Sequence, residues 1–212
     1  MQAGGGAVVS LRGLTIDLRG TANTGISFGI SFVSGGALHV HDTVIRKSEI
    51  GIVFQPASGT PELYLVDSVI ADSAGDGIFV GPSGSAGAKV VLANIRAENS
   101  GNGVQFSGNS TTGSIIATVS DSVFAGNTGG GIVVSDDGGV TNVMIDRSAM
   151  VNNAAGLSIL GANNGDVWIG DSTVTGNGTG LNNGSNLLVS YGTNKVDGNG
   201  TDGAANGVGT MK

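Results

Sequence analysis

The chain has 212 residues, 40 of them glycine, with 39% apolar residues, 12% charged and a formal net charge of −7. Only 3 prolines and no strict Gly-X-Y period exclude collagen, and so few charges against so much apolar material exclude a disordered chain. The acidic balance and nine scattered basic residues, adjacent only at Arg46-Lys47, exclude a phosphate-binding nucleic-acid surface.

Cysteine is absent, so disulfides and Cys-based zinc sites are ruled out. No apolar run reaches the roughly 18 residues of a membrane helix, which argues against membrane insertion. The opening Met1–Ala7 has neither the basic start nor the apolar core of a signal peptide. Strand-like sequence begins almost at once, as expected of a trimmed or mature chain.

In chain order, the apolar segments divide into eight coils. The first runs from Val8 to about Phe32, with Val8–Asp17 and then Gly25–Phe28. The second takes Ala37–Asp42, Val44-Ile45 and Gly51–Phe54; the third takes Glu62–Asp67, Val69-Ile70 and Gly77–Val80. The fourth takes Lys89–Leu92, Ile95–Ala97 and Gly103–Phe106, and the fifth takes Ile115–Val119 and Asp121–Val134. The sixth takes Asn142–Ile145 and Gly156–Ile159, and the seventh takes Asp166–Ile169, Val174 and Gly180-Leu181. The eighth takes Leu187–Tyr191, Val196 and Gly203.

One phrase recurs through them, an apolar pair, a turn with Asn or Ser, a Gly and a second apolar pair. It is fullest in Asp121-Ser-Val-Phe-Ala-Gly-Asn-Thr-Gly-Gly-Gly-Ile-Val-Val134, and returns over Asp67–Val80 and Asp171–Leu181. The turn residues Ser48, Ser73, Asn99, Asn127, Asn153, Asn177 and Asn199 are spaced by 25, 26, 28, 26, 24 and 22 residues. A period near 25 built from three short strands marks a solenoid. The side chains alternate along each strand, and a lone coil cannot bury its apolar side, so stacking makes the core. At roughly 4.8 Å per rung, eight coils give a rod about 38 Å long.

No window carries an apolar helical stripe over three turns, and Gly interrupts every candidate. A nonapeptide calcium roll, weakly echoed in Asp197–Gly203 and Asn182–Asn186, is the weaker reading, because the repeat is about 25 residues and not nine. The expected fold is all-β: a right-handed parallel β-helix of about eight coils, three short strands each. It forms one domain over residues 1–212, with coils over 8–203 and a C-terminal tail over 204–212.

Leu11–Asp17, Val44–Arg46, Gly77–Val80, Asp121–Asn127, Gly170–Asn177 and Ser190–Asn194 carry a likeness to known proteins. They resemble bacterial right-handed parallel β-helix repeat proteins of the pectate-lyase-like superfamily, a group without an assigned activity. The likeness spans essentially the whole chain. It implies further N-terminal sequence, often with an export signal, and so an extracellular or cell-envelope location. It also implies that the outer side of the first strand is where sugar chains bind. An N-terminal coil without a cap would leave strand edges open to another copy of the chain.

Alternation identifies that outer side. With Leu38 and Val40 inward, His39 and His41 face out, followed by Tyr64 and Val66, Lys89 or Val91, Thr118 and Ser120, Met144 and Asp146, and Trp168. Arg12 lies one coil above His41. Aromatic faces stack on sugars, so Arg12, His39, His41, Tyr64 and Trp168 are the expected glycan contacts.

Two columns recur at the corners. The Asn/Ser column after the second strand can hydrogen-bond along the rod. The Asp column of Asp42, Asp67, Asp121 and Asp171, interrupted by Ala93 and Arg147, can accept turn N–H groups. No cofactor is expected; calcium held by the Asp42/Asp67 pair is the alternative.

Catalytic patterns of the superfamily do not align. Asp136-Asp137 falls in the turn after a third strand, His39 and His41 have no flanking Gly, and Arg46-Lys47 is not Arg-x-Lys. The expected function is therefore a non-catalytic extracellular module, structural, adhesive or glycan-binding. A polysaccharide lyase or hydrolase is the alternative, to be recognised by a cleft of acids with an Arg or Lys on the first-strand face.

Overall fold

The computed structural model describes residues 1–18, 27–161, 165–184 and 187–210. All its regular elements are strands. The first coil holds β1 (Val8–Arg12), β2 (Thr15–Asp17) and β3 (Phe28–Phe32). The second holds β4 (Ala37–His41), β5 (Val44–Arg46) and β6 (Ile50–Phe54). In the third and fourth, one long strand crosses the first corner: β7 (Glu62–Ala71) then β8 (Ile78–Val80), and β9 (Ala88–Glu98) then β10 (Val104–Ser107). The fifth holds β11 (Ile115–Ser120), β12 (Val123–Ala125) and β13 (Gly130–Ser135). The sixth holds β14 (Thr141–Asp146), β15 (Ala149–Val151) and β16 (Ala155–Leu160). The seventh holds β17 (Asp166–Gly170), β18 (Thr173–Thr175) and β19 (Thr179–Asn182). The eighth contributes β20 (Leu187–Ser190) and β21 (Lys195–Val196), and β22 (Gly207–Val208) follows. Gly25 and Ile26, expected in the first coil, and Asn186 lie outside the described residues.

Every strand pairing is parallel and joins equivalent strands of successive coils. The fold is a parallel β-solenoid. Because β7 and β9 turn the first corner unbroken, the first and second stacks form one 15-stranded sheet, and the third stack forms a 7-stranded sheet. The three-strand coil thus repeats about seven times in full. On the third side of the eighth coil a single Thr179–Thr201 bridge continues the stack. The residues expected as a tail after 203 add β22 to the first stack, against β20.

Register explains why this sequence builds a rod. Leu38, Leu63, Val90, Ala117, Val143, Val167 and Leu188 form one inward column of the first stack. Ile45, Ile70, Ala97, Phe124, Met150 and Val174 form the inward column of the second, all 5% exposed or less. In the third, Phe32 stacks on Phe54 with centroids 5.0 Å apart. Each buried side chain therefore rests on its equivalent above and below, and burial stabilises by about 25 cal/mol per Å².

Polar ladders close the corners. At the first corner Ser68, Ser122, Ser148 and Ser172 each accept a backbone N–H from the preceding coil, at 3.1–3.2 Å. At the second, Asn127, Asn153 and Asn177 are 4% exposed or less and bond coil to coil. Asn153 Nδ2 donates to Asn177 Oδ1 and to the Phe124 carbonyl, while its Oδ1 accepts from the Asn127 N–H and Nδ2. In the fourth coil the ladder member is Ser100, which donates its N–H to Asn127 Oδ1 and receives Ser73 N–H; Asn99 is exposed. Asn99 instead takes the left-handed position before the ladder (φ 52°), where Lys47, Asp72 and Asn152 sit in their coils. This left-handed position admits Asn as readily as the ladder does, so residue type alone misplaces it.

Candidate functional site

The outer row of the first stack is one continuous column: Ser10, His39, Tyr64, Val91, Thr118, Met144, Trp168 and Val189. Parallel pairing in register puts Tyr64 and Trp168 in the same column, four rungs apart, about 19 Å at strand spacing. The corresponding column of the third stack is interrupted by Val53, Val133 and Ser158, which are 4%, 7% and 7% exposed, with Phe79 and Gln105 half-buried between them.

The five expected contacts divide between the ends of this face. His39 packs edge-on against Tyr64, centroids 4.8 Å apart and planes at 79°. His41 lies beside them in register with Arg12 and Val66. Arg12 Nε donates to Asp42 Oδ2 at 3.0 Å. Those four form one group near the first coils. Trp168 stands apart, half-buried between Met144 and Val189.

The Asp column is real and left-handed. Asp42, Asp67, Asp121 and Asp171 have φ of 46–52°, and Arg147 has 44°. Asn94 (φ 53°), not Ala93, holds the position in the fourth coil, because β7 and β9 pair Val66 with Ala93. Repulsion along the column is relieved by alternating partners: Arg12 for Asp42, Asn94 Nδ2 for Asp67 at 2.6 Å, and Arg147 for Asp121. The Asp42/Asp67 pair is thus engaged, and among the described residues no group of three or more His, Cys, Asp or Glu is placed to hold a metal.

Farther along, the same face opens into a groove of about 760 Å³, within the size range of small-molecule sites. Thr118, Ser120, Met144, Asp146 and Gly170 of the first stack line it, with Arg147 and Asp171 from the corner and Tyr191, Thr193 and Thr210 from the C-terminal end. None of the five expected contacts lines it.

Tyr191 is held by small neighbours. A side chain at Gly170 would meet its ring at 3.3 Å and one at Gly209 at 2.7 Å. The Gly209 N–H bonds to the Ser190 carbonyl at 2.9 Å, and this seats the chain end against the ring.

Arg147 organises the corner. Its Nε and Nη2 donate to the two Asp121 oxygens at 2.9 and 3.1 Å, and its Nη1 donates to Asp146. The bond from Arg147 holds the Asp121 carboxyl below the usual carboxylate range. Reciprocally, the bond to Asp121 and then the charges of Asp121, Asp146 and Asp171 raise Arg147 and keep it protonated.

The sequence contained part of this site. Alternation from Leu188 sends Tyr191 outward, and Arg147 stood out as a break in the Asp column. The contribution of Thr210 had no local signal, because β22 returns to the first stack only through tertiary pairing.

No family model matches the chain, and no curated protein or solved structure matches it.

Proposed function

We propose that the protein is a non-catalytic glycan-binding or adhesive β-solenoid, of the pectate-lyase-like kind, that lays a sugar chain along the outer face of its first stack. The observation that carries this reading is the groove of about 760 Å³ set in a column that also bears Tyr64 and Trp168. Met144 and Tyr191 provide apolar surface for sugar rings, and Thr118, Ser120, Thr193 and Thr210 provide hydroxyl partners. A straight column suits a polymer better than a compact metabolite. This ligand class fits an extracellular or cell-envelope location. A second copy of the chain is the proposed protein partner at the first coil, where Val8 and Phe28 are exposed and β1, β2 and β3 pair with neighbours on one side only among the described residues.

A polysaccharide lyase or hydrolase is the second reading, favoured by the acids and the Arg gathered on this face. The electrostatics weigh against it. A lyase needs a base free to accept the substrate's proton, and Arg147 is a cation already bonded to Asp121 and Asp146.

Affinity electrophoresis against neutral and charged polysaccharides tests the proposal. Retardation of the wild type is expected, reduced about tenfold in affinity by Tyr191→Ala, the usual size of losing one aromatic contact. No retardation on any polysaccharide overturns it. New reducing ends or unsaturated products on the same panel would instead establish the enzymatic reading.

A further inference from the structure

We propose that the groove discriminates by charge: it accepts glycans bearing protonated amino groups and rejects those bearing uronate carboxylates. This rests on the glycan-binding reading and adds the ligand class.

The charge balance at the groove carries the inference. Asp146 and Asp171 line it, and Asp121 stands directly behind Arg147. Three carboxylates therefore face one guanidinium, which leaves two negative charges in excess. The guanidinium is already committed, with Nε and Nη2 on Asp121 and Nη1 on Asp146. Three of its five N–H donors are taken, and its charge is already offset by the two carboxylates it bonds. Asp171 is different. Its backbone N–H bonds to Thr193 Oγ1 at 2.9 Å, but its exposed carboxylate accepts no hydrogen bond from any described residue.

The remaining lining is neutral: hydroxyls, Met144, Gly170 and the Tyr191 ring. No Lys lines the groove, and the chain as a whole carries −7. A sugar ring resting on Tyr191 and Met144 would bring its substituents to Asp146 and Asp171. At such separations a uronate meets like charge and an ammonium meets opposite charge. Both oxygens of the Asp171 carboxylate are without a hydrogen bond from a described residue, whereas Asp146 already shares one with Arg147, so Asp171 is the one that receives the ammonium.

Calorimetric titration with three matched probes tests this: a pentamer of glucosamine, the same pentamer N-acetylated, and a pentamer of galacturonate. The titrations run at about pH 5.5, where amines are protonated and ordinary Asp side chains are ionised. The glucosamine pentamer is expected to bind about tenfold tighter than its acetylated form, with an advantage that shrinks as salt is raised. The galacturonate pentamer is expected not to bind. Asp171→Asn should bring the affinity ratio of the glucosamine pentamer to its acetylated form down to about one, and a ratio kept near ten would overturn the assignment of Asp171. Equal affinity for the two glucosamine probes, or binding of galacturonate, would overturn the charge selection and leave the glycan reading standing. Binding of none of the three would overturn both.

Discussion

Asn153 shows how single residues hold the rod together. Its amide makes four contacts, to the coil before and the coil after, and is 4% exposed. Asn153→Ala would strand the Asn127 N–H and the Phe124 carbonyl in the core, at about 1–3 kcal/mol for each unsatisfied group. Chemical denaturation should therefore show a loss of roughly 2–6 kcal/mol. A loss under about 0.5 kcal/mol, typical of a neutral surface change, would show that the ladder does not bear on stability.

The Asp121–Arg147 pair makes a pH prediction at the same scale. Bonding to Arg147 depresses the Asp121 pKa in the folded state. A depressed carboxyl contributes stability above its unfolded value of about 3.9, and the contribution is lost as pH falls through the folded value. Carboxyl NMR titration should place Asp121 below the ordinary range in the wild type and return it upward in Arg147→Gln. An unchanged Asp121 titration would contradict the pairing. Asp76 works in the opposite sense: burial raises its pKa despite the bond from Asn102 Nδ2 at 2.8 Å. Its contribution is present below the unfolded value and lost as pH rises through the folded one, so Asp76→Asn should stabilise the protein at neutral pH but not in acid.

Residue identity made the ladders legible in the sequence, since Asn, Ser and Asp that return at a fixed period between apolar strands mark stacked turns. The occupant itself was not legible in the fourth coil. Asn99 and Ser100 are both turn residues, and only backbone register puts Ser100 in the ladder.

Among the elements, the start of the third strand is the tightest point. Gly51, Gly77, Gly103, Gly131 and Gly156 recur there, and a Cβ at any of them would meet the next coil's Gly carbonyl oxygen at 2.4–2.8 Å. At Gly103 it would also meet the Phe124 ring at 2.8 Å. The glycines let neighbouring coils come together at strand spacing. Gly103→Ala should cost about 1–3 kcal/mol through overpacking, measured by the shift in denaturation midpoint. A variant as stable as the wild type would mean that the backbone relaxes freely there. The strands themselves were legible because alternation separates Leu38 and Val40 from His39 and His41. The fusion of first and second strands in β7 and β9 was not legible. Asp67 and Asn94 both adopt left-handed φ inside a continuous ladder, and sequence reads such residues as turns.

At the scale of the molecule, a period near 25 fixes a solenoid because each coil needs its neighbours to bury its apolar side. The groove was less legible, as it combines a face predicted by alternation with Tyr191 and Thr210 from the chain end. Self-association at the first coil predicts a light-scattering mass that rises with concentration, and a constant monomer mass would refute it.

The outer column of the first stack is the proposed binding face. The most direct test is an NMR titration with a neutral oligosaccharide that follows the Met144 methyl and the indole N–H of Trp168, the sole tryptophan. Both should shift together and saturate at one ligand concentration, with Thr118 and Tyr191 moving alongside them. Saturating shifts confined to the third stack around Val53 and Val133, with Met144 and Trp168 unmoved, would rule that face out.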